Sequence, residues 1–167
     1  TSEKIPTFKE VLELLKGKVM LDIDYKAEGK RAARSTARLL RKTKMERQSL
    51  FFLYDYRDAP ALHRMNKKIQ FMMRAYNRED VDGIFNQGIE VPVIHADAKF
   101  YSDSLMGVIR GKGIRLWMNA LGKYDTMEKT EINSGFDALL QMRHTNIIQT
   151  DLYKELMDYL KVRGLHR

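Results

Sequence analysis

The chain has 167 residues, 44% hydrophobic and 31% charged, with no cysteine and a formal net charge of +8. These proportions are those of one globular domain and not of a disordered tail, and no apolar run approaches the ~18–20 residues that span a bilayer. Without cysteine there are no disulfides, thiolate metal sites or cysteine nucleophile, and the positive charge, scattered along the chain, reads as solubility more than as a docking patch.

Ile5-Pro6-Thr7-Phe8-Lys9-Glu10 opens a helix, with Thr7 and Glu10 at the spacing of a capping box. Phe8, Val11, Leu12 and Leu15 recur at helical spacing and Gly17 supplies the stop. An apolar strand follows over 19–26. It ends by setting Asp22, Asp24 and Lys26 at alternate positions, which in an extended chain share one face. Two carboxylates and an ammonium at a strand end are costly unless they bind something or each other.

Residues 28–44 form a basic helix with Arg31, Arg34, Arg38 and Arg41 on one stripe and Ala33, Ala37 and Leu40 on another. The stripe reads as a solvated outer face. Ser49–Tyr56 is a second strand, followed by a short helix begun by Asp58 and Pro60. Ile69–Ala75 is a third strand with its helix over 79–87, and Val91–Asp97 a fourth with its helix over 102–110. Gly113–Asn119 is the fifth. A long linker, 122–134, then leads to a helix through Phe136, Leu139, Leu140 and Met142. Thr145–Asp151 is the last strand, and Leu156, Tyr159 and Leu160 face inward on the closing helix.

Strands alternating with helices imply a parallel sheet, and nearly continuous apolar strands imply burial on both faces. Either a doubly wound sheet or part of an eight-unit barrel fits. No glycine-rich phosphate loop follows any strand, which weighs against the nucleotide-binding sheet. In parallel α/β folds, sites gather at the carboxyl ends of strands. The polar residues there are Asp22, Asp24, Lys26, Tyr54, Asp55, Arg74, His95, Asp97, Trp117, Asn119, Thr150 and Asp151. This set suits a divalent cation together with a phosphate ester, since hard cations take carboxylate oxygens and phosphates take Lys and Arg. Each residue also has a plainer role: Asp24 and Lys26 as an ion pair, His95 and Trp117 as core, Asp151 as a helix cap.

Several stretches resemble the glycerophosphodiester phosphodiesterases. Val19-Met-Leu-Asp-Ile-Asp-Tyr-Lys26 is similar to that family's strand of the form L-N-I-E-x-K, and Ile5–Leu12 to its I-P-T-L-x-E-x-L lead-in. Lys112–Asn119 resembles its glycine-led strand ending in Trp and Asn, and Ile147–Asp151 its closing I-I-T-D strand.

The resemblance implies a TIM-type (β/α)8 barrel of which about six βα units, the third to the eighth, are present, as a single partial domain over 1–167 lacking the first two. By position Asp24 becomes the metal ligand, for Ca2+ or Mg2+, and Lys26 the phosphate contact. Trp117, Asn119 and His95 become substrate-binding residues. Asp24 stands where the family has Glu, and Trp117 and Asn119 are one residue closer together than in the family.

The family's two catalytic His and its Glu-x-Asp pair have no counterpart before Lys18, so no catalytic residue is assigned. The activity implied is metal-assisted cleavage of glycerophosphodiesters to an alcohol and sn-glycerol 3-phosphate. The 167 residues alone are expected to be inactive, and a non-catalytic phosphoester binder is the alternative. Expected partners are a small-molecule glycerophosphodiester and the missing amino-terminal part of the barrel or a second copy of the chain, but no nucleic acid. A periplasmic or secreted location follows only by family analogy, and a cytoplasmic one is otherwise open.

Overall fold

The computed structural model describes residues 3–26 and 30–166. Contacts gather in two compact units, Thr1–Arg74 with Glu79–Pro92, and Ala75–Arg78 with Val93–Arg167.

The first unit opens with helix α1 (Phe8–Leu15). The Thr7 hydroxyl accepts from the Glu10 amide at 3.3 Å and the Glu10 carboxylate accepts from the Thr7 amide at 2.7 Å, completing the expected box. Gly17, at φ +74°, ends the helix in a conformation that favours glycine. Strand β1 (Leu21–Asp24), helix α2 (Lys30–Thr43), strand β2 (Ser49–Leu53), helix α3 (Ala59–Met65), strand β3 (Gln70–Ala75) and helix α4 (Arg78–Asn86) follow. Residues 28 and 29 of the expected second helix lie outside the described residues.

β1 pairs with β2, and β2 with β3, both in parallel. Ala33, Ala37 and Leu40 of α2 are buried, leaving the arginine stripe outward. Tyr25 packs tilted on Phe51, and Phe51 edge-to-face on Phe71, at centroid distances of 4.9 and 6.4 Å. The second strand is shorter than its apolar sequence suggests. Asp55 draws the chain into a 3-10 turn (Tyr56–Asp58) by accepting from the Arg57 amide at 2.9 Å.

The second unit holds strand β4 (Val93–Ala96), helix α5 (Asp103–Gly111), strand β5 (Arg115–Asn119), helices α6 (Lys123–Thr130) and α7 (Ser134–Leu140), strand β6 (Ile147–Gln149) and helix α8 (Tyr153–Val162). β5 pairs in parallel with both β4 and β6. Phe136 of α7 packs with Leu156 and Tyr159 of α8, against Leu140, Ile148, Leu152 and Leu160.

The expected linker over 122–134 is in fact largely α6, a correction with a physical cause. Its buried residues are Asp125 and Glu128, not apolar ones, so hydrophobic periodicity gives no signal. The Glu128 carboxylate accepts from the Asn133 amide at 2.6 Å and the Phe136 amide at 3.2 Å, and so caps α7 from outside it. Gly135 permits this corner: a Cβ there would lie 2.0 Å from the Tyr124 carbonyl oxygen. The final helix is capped differently from the expectation for Asp151, since Leu152 is its N-cap residue and no side chain bonds there.

Candidate functional site

Polar side chains collect at the carboxyl ends of the strands in each unit. In the first, Asp22 and Asp24 lie opposite Leu50 and Phe52 of β2, and the alternation of β1 puts both on one face. Lys26 continues that face: its Nζ lies 2.5 Å from Asp24 Oδ2. Tyr54, just beyond β2, donates its hydroxyl to the other oxygen, Asp24 Oδ1, at 3.0 Å. Asp24 is thus held by a phenol and an ammonium, and all three side chains are open to solvent.

The Lys26 ammonium is pushed up by its hydrogen bond to Asp24. The Tyr54 phenol is also raised, first by desolvation and then by the same carboxylate. Among the described residues, no cation is hydrogen-bonded to Asp22. Crowding of its carboxyl and then the neighbouring Asp24 charge push it up to about 6, although the residue as a whole is exposed. Asp55 does not join them. It is turned to its own loop, where the Arg57 guanidinium bonds both its oxygens and holds it below the usual carboxylate range.

In the second unit His95, Trp117 and Ile147 are in register across β4, β5 and β6. The His95 and Trp117 rings are 6.3 Å apart. His95 is only 3% exposed, which places its imidazole in the sheet interior. Trp117 is half-buried, and its Nε1 donates to Gln149 Oε1 at 3.3 Å. Asn119 closes β5 by accepting from the Leu121 amide at 2.7 Å, an Asx turn that leaves its amide group as the donor. A cavity of about 460 Å3 opens there, lined by Asp97, Lys99, Asn119, Lys123 and Tyr124 among others. Of the three substrate residues expected in this unit, only Asn119 lines it.

Asp125 and Gln149 escaped sequence reading. Asp125, 3% exposed, accepts from the Thr150 hydroxyl at 2.6 Å and from the Asp151 amide at 2.9 Å. It therefore sets the chain just after β6. The signal was present as carboxylates at 125 and 128, one helical face apart from solvent, and Gln149 follows from the two-residue period along β6.

Among the described residues, no group of three or more His, Asp or Glu side chains converges as a metal site. Asp22 and Asp24 nevertheless have suitable chemistry for a hard cation. They are two carboxylates on one face, and Asp22 resists ionisation first through desolvation and then through the Asp24 charge, both of which a bound cation would offset. Two carboxylates offer at most four oxygens, below the six or more that such ions take, so they form part of a ligand set.

No protein-family model matches the sequence, and no curated protein matches it closely enough to be a relative. Solved structures match in fold. A glycerophosphoryl diester phosphodiesterase from Parabacteroides distasonis gives a TM-score of 0.78 over 96% of this chain at 19% identity, and 56% of its own length is covered. One described as a putative glycerophosphodiester phosphodiesterase from Galdieria sulphuraria gives 0.75 over 96% at 9% identity, with 65% of its length covered. Another, from Silicibacter pomeroyi, gives 0.67 over 96% at 14%, with 58% covered. The chain thus spans under two thirds of the length of these proteins. Its fold is that of six βα units of a TIM-type barrel, a part of the barrel these phosphodiesterases have.

Proposed function

We propose that this chain carries the phosphate- and cation-facing part of a glycerophosphodiester phosphodiesterase barrel, and that the whole site hydrolyses a glycerophosphodiester to an alcohol and sn-glycerol 3-phosphate. The observation that carries the reading is the Asp22, Asp24 and Lys26 cluster on one face at the carboxyl end of β1, where a parallel barrel keeps its chemistry. Asp24, with Asp22 beside it, would hold Ca2+ or Mg2+, an ion that when bound supplies Lewis-acid polarisation of a phosphoryl oxygen. Lys26 is a point charge on a flexible stem, suited to meet a non-bridging phosphate oxygen. Tyr54 fixes the Asp24 carboxylate by its 3.0 Å hydrogen bond. Hydrolysis adds water across the bond from phosphorus to the alcohol oxygen. No side chain of these 167 residues is assigned the proton transfers, because none of His63, His95, His144 and His166 stands in a motif of the family's catalytic pair.

The Asp at 24, one methylene shorter than the family's Glu, favours a second reading in which the mouth binds the phosphoester without cleaving it. Both readings place a phosphate at Lys26. Titration of the labelled chain with sn-glycerol 3-phosphate, with and without Ca2+ or Mg2+, tests this by NMR. Shifts at Asp22, Asp24 and Lys26 that need the metal and vanish in Lys26→Ala and Asp24→Asn are expected, with no turnover of a glycerophosphodiester by the chain alone. Absence of metal-dependent shifts would overturn the placement. Turnover by the chain alone would overturn the assignment of proton transfer elsewhere.

A further inference from the structure

The arginine stripe of α2 takes no part in that site. Arg31, Arg34, Arg38 and Arg41 follow one another at i, i+3, i+7 and i+10, a line about 15 Å long, and all four are exposed. No ion pair to a described carboxylate ties any of the four down. α2 contains no acidic residue at all.

The stripe runs toward a second unusual feature. Lys16 Nζ donates to the Thr43 carbonyl at 2.5 Å, and the Gln48 side chain donates to the Val19 carbonyl, so the end of α2 lies beside segment 17–20. There Val19 is 49% exposed and Met20 64%. Lys18 precedes these apolar side chains in the sequence, Lys42 and Lys44 flank Thr43 at the end of α2, and all three lysines are exposed. Of the acidic side chains near this turn, Glu46 is buried and accepts from Asn66, and the exposed Glu13, which shares a pocket with Lys42 and Thr43, is paired with Lys9 at 3.6 Å.

We infer that this side of the first unit docks on an anionic phospholipid surface. Basic side chains close to such a surface are attracted by its negative potential, and apolar ones beside them enter the headgroup boundary. The exposed apolar pair is what favours a bilayer over a nucleic acid, which offers it no partner. α2 also carries no aromatic, Asn or Gln side chain with which to stack on or read a base. Along β1, Val19 and Met20 precede the strand and Asp24 and Lys26 end it. α2 runs back from the carboxyl end of β1 to its amino end, so contact through Val19, Met20 and the last turns of α2, with Arg38 and Arg41, leaves the carboxyl end of β1 away from the bilayer. The inference does not depend on the proposed hydrolysis.

Co-sedimentation of the chain with vesicles tests it. Binding to phosphatidylcholine vesicles containing phosphatidylserine is expected, with little to phosphatidylcholine alone. About 0.5 M salt should remove most of it, since the Debye length there falls to about 4 Å. Arg34→Gln, Arg38→Gln and Arg41→Gln should each weaken binding about fivefold. Val19→Ser with Met20→Ser should weaken it while leaving the salt dependence intact. All of these positions are exposed, and an unchanged thermal melt will show that the variants fold. Equal binding to neutral vesicles, or none to anionic ones, overturns the inference. So does tighter, stripe-dependent binding to a duplex oligonucleotide, which would assign the face to nucleic acid.

Discussion

Two pairs of carboxylates in this chain are held in opposite ways. Asp125 and Glu128 sit on the inward face of α6, nearly sealed from water, and each is saturated by backbone amides or a hydroxyl. Asp22 and Asp24 sit on the exposed face of β1, two residues apart, and the one lysine beside them, Lys26, is bonded to Asp24. The first pair does the work of turns and helix caps, so its charge is used up inside the protein. The second pair leaves charge unneutralised, which is the condition for recruiting a ligand. Burial alone singles out the pair that the fold itself uses.

The contrast breaks most visibly where the buried pair is assembled. Gly135→Ala drives a methyl group into the Tyr124 carbonyl and should cost about 3 kcal/mol, read by urea denaturation. Asp125→Ala leaves the Thr150 hydroxyl and the Asp151 amide without their acceptor, and about 2–3 kcal/mol of destabilisation is expected. A loss as small as that of a surface substitution would mean that Asp125 is not the anchor described. Asp24→Asn should scarcely move the same denaturation midpoint, because Asp24 is exposed.

The pH dependence sharpens the same comparison. The folded-state pKa of Asp22 is raised to about 6, so the native state holds a proton that the unfolded chain has released above about 4. Its contribution to stability is therefore present at low pH and is lost as pH rises from about 4 through about 6. Thermal melts across that window should show this decline in the parent chain and a flatter profile in Asp22→Asn. A carbon-detected titration of the Asp22 carboxyl should give a midpoint near 6 that falls on adding Ca2+ or Mg2+. A midpoint indifferent to either ion would count against Asp22 as a neighbour of the cation.

Much of the architecture is legible in the residues. Alternating apolar strands and amphipathic helices gave the parallel α/β order, and Thr7 with Glu10 gave the first helix its start, because both signals are local. What escaped reading depends on partners far along the chain. α6 hides because its inward side is Asp125 and Glu128, whose acceptors are useful only once α7 and the end of β6 are in place. One difference is local instead: β2 ends earlier than its apolar run suggests because Asp55 folds onto Arg57, two residues on, and stops the strand. In the candidate site, the alternate spacing of Asp22, Asp24 and Lys26 was readable from strand geometry alone. The Tyr54 bond to Asp24 was not, since it needs the register of β1 on β2. The depth of His95 follows likewise from sheet pairing and not from its neighbours in sequence.

Gln48 acts as a ruler for the acidic strand. Its side chain accepts from the Gly17 amide at 2.8 Å and donates to the Leu15 carbonyl at 2.8 Å and to the Val19 carbonyl, gauging the chain between the end of α1 and the start of β1. Insertion of a single residue between Val19 and Leu21 would keep those grips while shifting the strand by one position. Asp22 and Asp24 would then trade sides with Leu21 and Ile23, leaving the opening greasy and the packed side charged. The spacing of this one glutamine from its three contacts thus fixes which way the acids look.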